Sequence, residues 1–146
     1  MAGAYQVRIE LAFAAGHRLL GHRGKCVYPH GHSYLAEVWV RGDALDGLGF
    51  VVDFAELKGK LGRWVEEHWD HAFLLNSEDE ELLSALKCVK GSRIVLFSGE
   101  NPSAEVLARE LFVKARELSG LCPDKVRVWE SPTQYAQYSL SRAQLD

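Results

Sequence analysis

Residues 5–13, YQVRIELAF, alternate without a break: Tyr5, Val7, Ile9, Leu11 and Phe13 are apolar or aromatic, with Gln6, Arg8, Glu10 and Ala12 between them. A period of two is the mark of a β-strand, whose successive side chains point to opposite faces. The segment is therefore expected to be a half-buried strand with one face on a core. Residues 33–41, SYLAEVWVR, repeat the pattern, with Tyr34, Ala36, Val38 and Val40 on one face and Leu35, Glu37 and Trp39 on the other. Two such strands commit the chain to a sheet, and antiparallel pairing joins them as a hairpin with a wide loop.

That loop carries chemistry. Residues 25–34 read KCVYPHGHSY and bring Cys26, His30 and His32 close together just ahead of the second strand. Residues two apart on a strand share a face and lie roughly 6.6–7 Å apart along it. His30 and His32 can thus aim their ring nitrogens at one ion, at ~2.0–2.1 Å each if it is zinc. Gly31 between them removes a side chain from the opposite face, where another backbone or a helix can approach closely. Two histidines hold a metal poorly, so a third ligand is required. Cys26 could supply it and close a structural site, or it could come from elsewhere and leave the thiol free. His17, just past the first strand in FAAGH, is ordinarily a solvated or capping residue, but a strand end is a rigid mount for the missing ligand. The hairpin brings all three imidazoles to the same end. His22, in the glycine-rich basic stretch 21–25, reads as a loop residue.

Downstream, residues 42–49 form a turn region and Asp53 is a plausible N-cap. Phe54, Leu57, Leu61, Trp64, Val65 and His68 follow as a helical stripe. Gly59 and Gly62 weaken that helix by about 1 kcal/mol each relative to alanine, so packing must hold it. Asp70 and His71 sit side by side among Trp69, Phe73, Leu74 and Leu75. A neighbouring carboxylate can fix the tautomer of an imidazole and raise its basicity. Residues 77–86 are acidic and helix-prone, a solvated face, and residues 93–97, RIVLF, read as a short strand. A second helix is expected from Asn101 as N-cap, with Pro102 in its first turn, to Gly120. Glu105 near its start is explained by the helix dipole alone. Residues 125–129 and 135–140 alternate again around a turn at 131–134, and Glu130 stands at the end of the first of these strands. The order ββ, helix, minor segment, helix, ββ predicts an α+β layer fold, ββααββ, with a four-stranded antiparallel sheet and two helices on one face. So small an open sheet has two exposed edges, which closing a barrel across subunits would remove. A ring-like homo-oligomer is expected.

Length and composition set outer bounds. A chain of 146 residues, 47% hydrophobic, fits one domain over residues 1–146 with a substantial core. Net charge is −3 without blocks of like charge, which disfavours nucleic acid and favours a small-molecule partner. No apolar stretch approaches the ~20 residues of a membrane span, and the start carries no signal-like run, so a soluble cytoplasmic protein is expected. The three cysteines, Cys26, Cys88 and Cys122, are widely spaced, which argues against a disulfide framework and for a reducing compartment.

Taken together, FAAGH ending in His17, CVYPHGHSY, GFVVDFAEL, WDH at 69–71, NPSAE at 101–105 and the glutamate of VRVWES resemble the family of 6-pyruvoyl and 6-carboxytetrahydropterin synthases, whose subunits have the tunnelling fold, or T-fold. The resemblance implies a catalytic Zn2+ on His17, His30 and His32, with an open fourth position. It implies that Cys26 is a catalytic acid/base with Asp70 and His71 nearby, that Glu130 anchors a pterin ring, and that Ser103 and Glu105 of NPSAE contribute to the substrate site. It implies a lyase acting on 7,8-dihydroneopterin triphosphate, a pterin triphosphate, in a homo-oligomer that is hexameric in the family. Three residues separate Cys26 from His30, a spacing that resembles the carboxytetrahydropterin type, which releases acetaldehyde and triphosphate and serves queuosine biosynthesis. The alternatives are the pyruvoyl-forming enzyme and a non-catalytic zinc-binding module in which Cys26 joins the three histidines in a closed site. Departures from the family pattern are Ser103 and Ser131, where threonine is frequent, and a longer segment at 77–99. Arg18, Arg23 and Lys25 are available to a triphosphate or are solvated loop charges.

Overall fold

The computed structural model describes residues 3–141. The first two strands are longer than their hydropathy pattern. β1 is Tyr5–His17 and β2 is His30–Gly42, paired antiparallel in unbroken register from Tyr5 against Gly42 to His17 against His30. Ile9, Leu11, Phe13 and Ala15 of β1 and Tyr34, Ala36, Val38 and Val40 of β2 are buried on one face. Apolar alternation ends at Phe13 because the next residues are small or polar, but backbone pairing continues. His17 is thus the last residue of a strand and not a residue beyond it.

α1, Phe54–His68, starts at Asp53, whose carboxylate accepts from the backbone N–H groups of Ala55 and Glu56. Leu57, Leu61 and Val65 bury its inner face. The middle of the chain departs from expectation at one element. β3, Ala72–Asn76, is not among the expected elements, whereas α2, Glu80–Lys87, falls in the helix-prone stretch 77–86 and β4, Ile94–Phe97, in the short strand expected at 93–97. β3 runs parallel to β1 through Ala15–His17, and β4 runs parallel to β3.

α3, Ala104–Ser119, packs on β5, Pro123–Ser131, and β6, Gln134–Tyr138; β5 pairs antiparallel with β2, and β6 pairs antiparallel with β5. The expected N-cap at Asn101 is corrected to Ser103, whose hydroxyl accepts from the Val106 N–H. Asn101 has other partners, described below. Gly120 ends α3 at φ 71°, a left-handed conformation that costs glycine nothing.

The result is one six-stranded mixed sheet in the order β4-β3-β1-β2-β5-β6. The expected four-stranded antiparallel sheet with two helices is corrected to six strands and three α-helices among the described residues. The reason lies in β3: Ala72, Leu74, Leu75 and Asn76 are buried, so its sequence shows no alternation and reads as strand or helix alike. α1 and α3 pack together and cover the sheet, and Leu57, Leu61, Leu107, Leu111 and Phe112 meet the strand core there. α2 buries only Leu82. No helix among the described residues is long and apolar enough to cross a membrane.

Candidate metal centre and active site

The β1–β2 register places His17 opposite His30, and His32 opposite Ala15, so all three imidazoles occupy the helix-side face at one end of the hairpin. Their candidate ligand atoms lie within 4.8 Å of one another. Each of two rings has its outer nitrogen fixed by a carbonyl. His17 Nδ1 donates to the Pro102 carbonyl at 2.8 Å, and His30 Nδ1 donates to the Tyr28 carbonyl at 2.6 Å. With Nδ1 protonated, both Nε2 atoms present lone pairs, and they face each other at 3.1 Å. Two facing lone pairs call for a cation between them, and an N–H···O=C bond behind a ligating imidazole is how metal sites fix the tautomer. Burial pulls the His17 pKa down to about 4, so its ring is the neutral ligand form near pH 7. His32 is also lowered, first by burial and then by His30, against the opposing pull of Glu130. The donor set fits a borderline metal such as zinc.

Beside this cluster lies a cavity of about 270 Å³ lined by Leu19, Ser103, Glu105, Glu130, Gln134 and Tyr135. The three residues singled out for substrate contact therefore meet in one place, because the start of α3 faces the end of β5. Glu130 acts electrostatically on both His32 and Tyr34, which ties the cavity to the imidazoles. Tyr34, not singled out in the sequence, is buried with its hydroxyl 3.4 Å from His17 Nδ1. Burial, and after it the Glu130 charge, pushes its phenol pKa up, so it stays protonated.

Asp70 and His71 form a bonded pair, Asp70 Oδ2 to His71 Nδ1 at 2.8 Å. The pair is clasped to β1 at Ala14: its N–H donates to Asp70 Oδ1 at 2.8 Å, and its carbonyl accepts from the His71 N–H at 2.7 Å. His71 is held at φ 56°, the one non-glycine residue with positive φ among those described. Conformations of this kind persist only where surrounding structure enforces them. Burial pushes the Asp70 carboxyl up, but the Ala14 and His71 hydrogen bonds more than offset it and leave the pKa below the ordinary value. The His71 side chain is 76% exposed and lines a second cavity, of about 520 Å³, with Gly16, His30, Gly31, His32 and Phe73.

Cys26 stands in a single 3-10 turn, Lys25–Val27, and is half-buried. It is not part of the imidazole cluster and lines neither cavity. Its carbonyl accepts from the Leu19 N–H at 2.7 Å, which holds the turn beside the cavity wall. Arg18, considered for a triphosphate, instead forms a bidentate ion pair with Asp79, a carboxylate 2% exposed that also caps α2. Arg23 and Lys25 are exposed.

Comparison with known proteins identifies the lineage. The family profile described as 6-pyruvoyl tetrahydropterin synthase matches residues 6–141. A 6-carboxy-5,6,7,8-tetrahydropterin synthase of Rickettsia bellii is 35% identical over 134 residues, 89% of this chain and 95% of that protein. Among solved structures, an uncharacterized protein of Wolinella succinogenes matches with a TM-score of 0.79 at 22% identity, over 94% of this chain and 99% of that one. The 6-pyruvoyl tetrahydropterin synthase of Caenorhabditis elegans matches with a TM-score of 0.69 at 24% identity, over 95% and 97%. These likenesses establish a T-fold-like half-barrel of mixed sheet and helices. With the profile spanning nearly every described residue, the chain belongs to the 6-pyruvoyl tetrahydropterin synthase family.

Proposed function

We propose that this chain is a 6-carboxy-5,6,7,8-tetrahydropterin synthase, a lyase that converts 7,8-dihydroneopterin triphosphate with release of acetaldehyde and triphosphate. The observation that carries the reading is the convergence of His17, His30 and His32 next to a cavity lined by Glu130, Glu105 and Ser103. The 35% identity to a protein of that name supports the carboxy type, as does the three-residue spacing between Cys26 and His30. Because Cys26 stands outside the imidazole cluster, an open fourth position is favoured over a site closed by its thiol.

In this reading His17, His30 and His32 hold Zn2+, which when bound polarises the side-chain oxygens of the substrate and stabilises negative charge on them. Glu130 accepts hydrogen bonds from the amide and amino groups of the flat pterin. Ser103 and Glu105, on the same cavity wall, orient it. Cys26 moves a proton on the substrate side chain, and His71, its tautomer set by Asp70, exchanges one on the other side. Triphosphate departs, and one water adds at the side-chain carbon attached to the ring as the next carbon–carbon bond breaks, leaving the carboxyl group on the pterin and releasing the two outer carbons as acetaldehyde. The sheet ends in β4 and β6 without further partners among the described residues. Residues 1–146 then act as a single T-fold domain whose edges close into a barrel across copies, hexameric as in the family.

The decisive experiment is mass spectrometry of products after anaerobic incubation of zinc-loaded protein with 7,8-dihydroneopterin triphosphate. Carboxytetrahydropterin with acetaldehyde is expected. A pyruvoyl product would move the chain to the other branch of the family, and no turnover at full metal loading would overturn the catalytic reading. Sedimentation at micromolar concentration should give a multimer, and a monomer there would sink the barrel.

A further inference from the structure

The loop between His17 and Cys26 is held from outside at two points, by the Arg18–Asp79 ion pair at its start and by the side chain of Asn101 beyond it. Asn101 Oδ1 accepts from the Leu20 N–H at 2.9 Å, and Asn101 Nδ2 donates to the Leu20 carbonyl at 3.0 Å. Both polar groups of one peptide residue are thus taken by one amide. The orientation of that amide is fixed in turn, since Asn76 Nδ2 donates to Asn101 Oδ1 at 3.3 Å and Asn76 is itself buried. The neighbouring Leu19 lines the cavity with Glu130, and its N–H donates to the Cys26 carbonyl. The residue after Asn101, Pro102, offers the carbonyl that fixes the His17 tautomer. A single segment, 101–102, therefore holds the candidate metal ligand His17 through its backbone and Leu20 through its side chain, one residue from the Leu19 N–H that bonds the cysteine turn.

We propose that Asn101 is a positioning residue that sets the Cys26 turn against the imidazole cluster; the assignment rests on the reading of Cys26 as the proton carrier. An asparagine is suited to the task because its amide both donates and accepts, as the exposed peptide of Leu20 requires. Asn101 touches neither substrate nor metal in this role. It acts through Leu19 and Leu20.

The test compares native chain, N101A and N101D, all zinc-loaded and full-length. N101D is nearly isosteric and keeps the acceptor for the Leu20 N–H, but sets an anionic oxygen against the Leu20 carbonyl, so it separates loss of the clamp from loss of fold. Three quantities are read: metal content, hydrogen exchange over residues 18–27, and mass-resolved alkylation of Cys26 by iodoacetamide. Steady-state kinetics with 7,8-dihydroneopterin triphosphate complete the set. Metal content should stay at the native level while exchange over 18–27 and Cys26 alkylation accelerate. A misplaced catalytic group should lower kcat by about 10- to 100-fold with KM within a factor of about two. Exchange and alkylation at native rates in both variants would overturn the proposal, as would accelerated exchange with kcat unchanged. If the native chain itself gives no turnover while the variants still loosen residues 18–27, the clamp stands and the assigned activity fails.

Discussion

Cys26 and His32 are close in sequence and different in kind. His32 belongs to the imidazole cluster, whereas Cys26 lies outside it on a turn of its own. Cys26→Ala should therefore keep its metal and lose at least about 100-fold in turnover, while His32→Ala should lose the metal. Metal analysis beside kinetics checks both, and metal loss in Cys26→Ala would return the thiol to the ligand set. Gly31 is another residue with a specific physical duty. A Cβ there would lie 3.1 Å from the Ala15 carbonyl oxygen on the paired strand, so close approach of a backbone is indeed what this glycine permits. Gly31→Ala should cost ~1–3 kcal/mol of stability, read by urea unfolding. His30 and His32 were legible from spacing, since His-x-His on a strand has only one shared face, whereas His17 needed the hairpin pairing and the family resemblance. Tyr34 and the Pro102 carbonyl were not legible, because one looks like any core aromatic and the other belongs to a segment 85 residues from His17.

At the scale of elements, the appended unit β3-α2-β4 is anchored by chemistry that composition conceals. Arg18 reads as a triphosphate contact or a solvated loop charge and Asp79 as part of a solvated acidic face, yet their side chains are 13% and 2% exposed and bonded to each other. The Arg18 guanidinium holds the Asp79 carboxyl below its ordinary value of 3.8. The folded chain thus keeps the charged form at pH values where the unfolded chain takes up a proton, so the stabilisation is complete above about pH 4 and is lost as pH falls through the folded pKa. Asp79→Asn, which still caps α2, should cost about 3 kcal/mol at neutral pH. The gap to the native chain should narrow on acidification below about pH 4. Denaturant titrations at several pH values measure it, and a gap independent of pH would remove the ion pair from the account. The alternating strands and α1 with its Asp53 cap were readable because each follows a local rule. β3 was not, because its identity depends on neighbours covering both faces. The start of α3 was misplaced by two residues because Asn101, Pro102 and Ser103 all carry helix-start signals, and the tertiary bonds of Asn101 decide among them.

For the molecule as a whole, the core abuts the imidazole cluster through Ala15 and Tyr34 but extends far beyond it. More than twenty apolar residues pack into one cluster under α1 and α3, most of them on elements that carry none of the three histidines or further along β1 and β2. Chelation should leave a cooperatively folded chain with unchanged far-ultraviolet circular dichroism. Its unfolding free energy should fall by the metal-linkage term alone, which is about 2.7 kcal/mol for a ligand at 100 times its Kd, with a matching drop in melting temperature. Calorimetry with and without chelator tests this, and unfolding on chelation would make the ion a structural element. The three-pair junction between β1 and β3 bears on how this chain assembles. The β1–β2 hairpin can close early through contacts near in sequence, but β3 and β4 must wait for a crossover to return to Ala15–His17. That junction should be a seam between two cooperative units, with β3-α2-β4 opening at lower free energy than the hairpin. Since all three imidazoles belong to the hairpin and none to the late unit, the early unit alone carries the full ligand set, so metal uptake need not wait for the last stage of maturation.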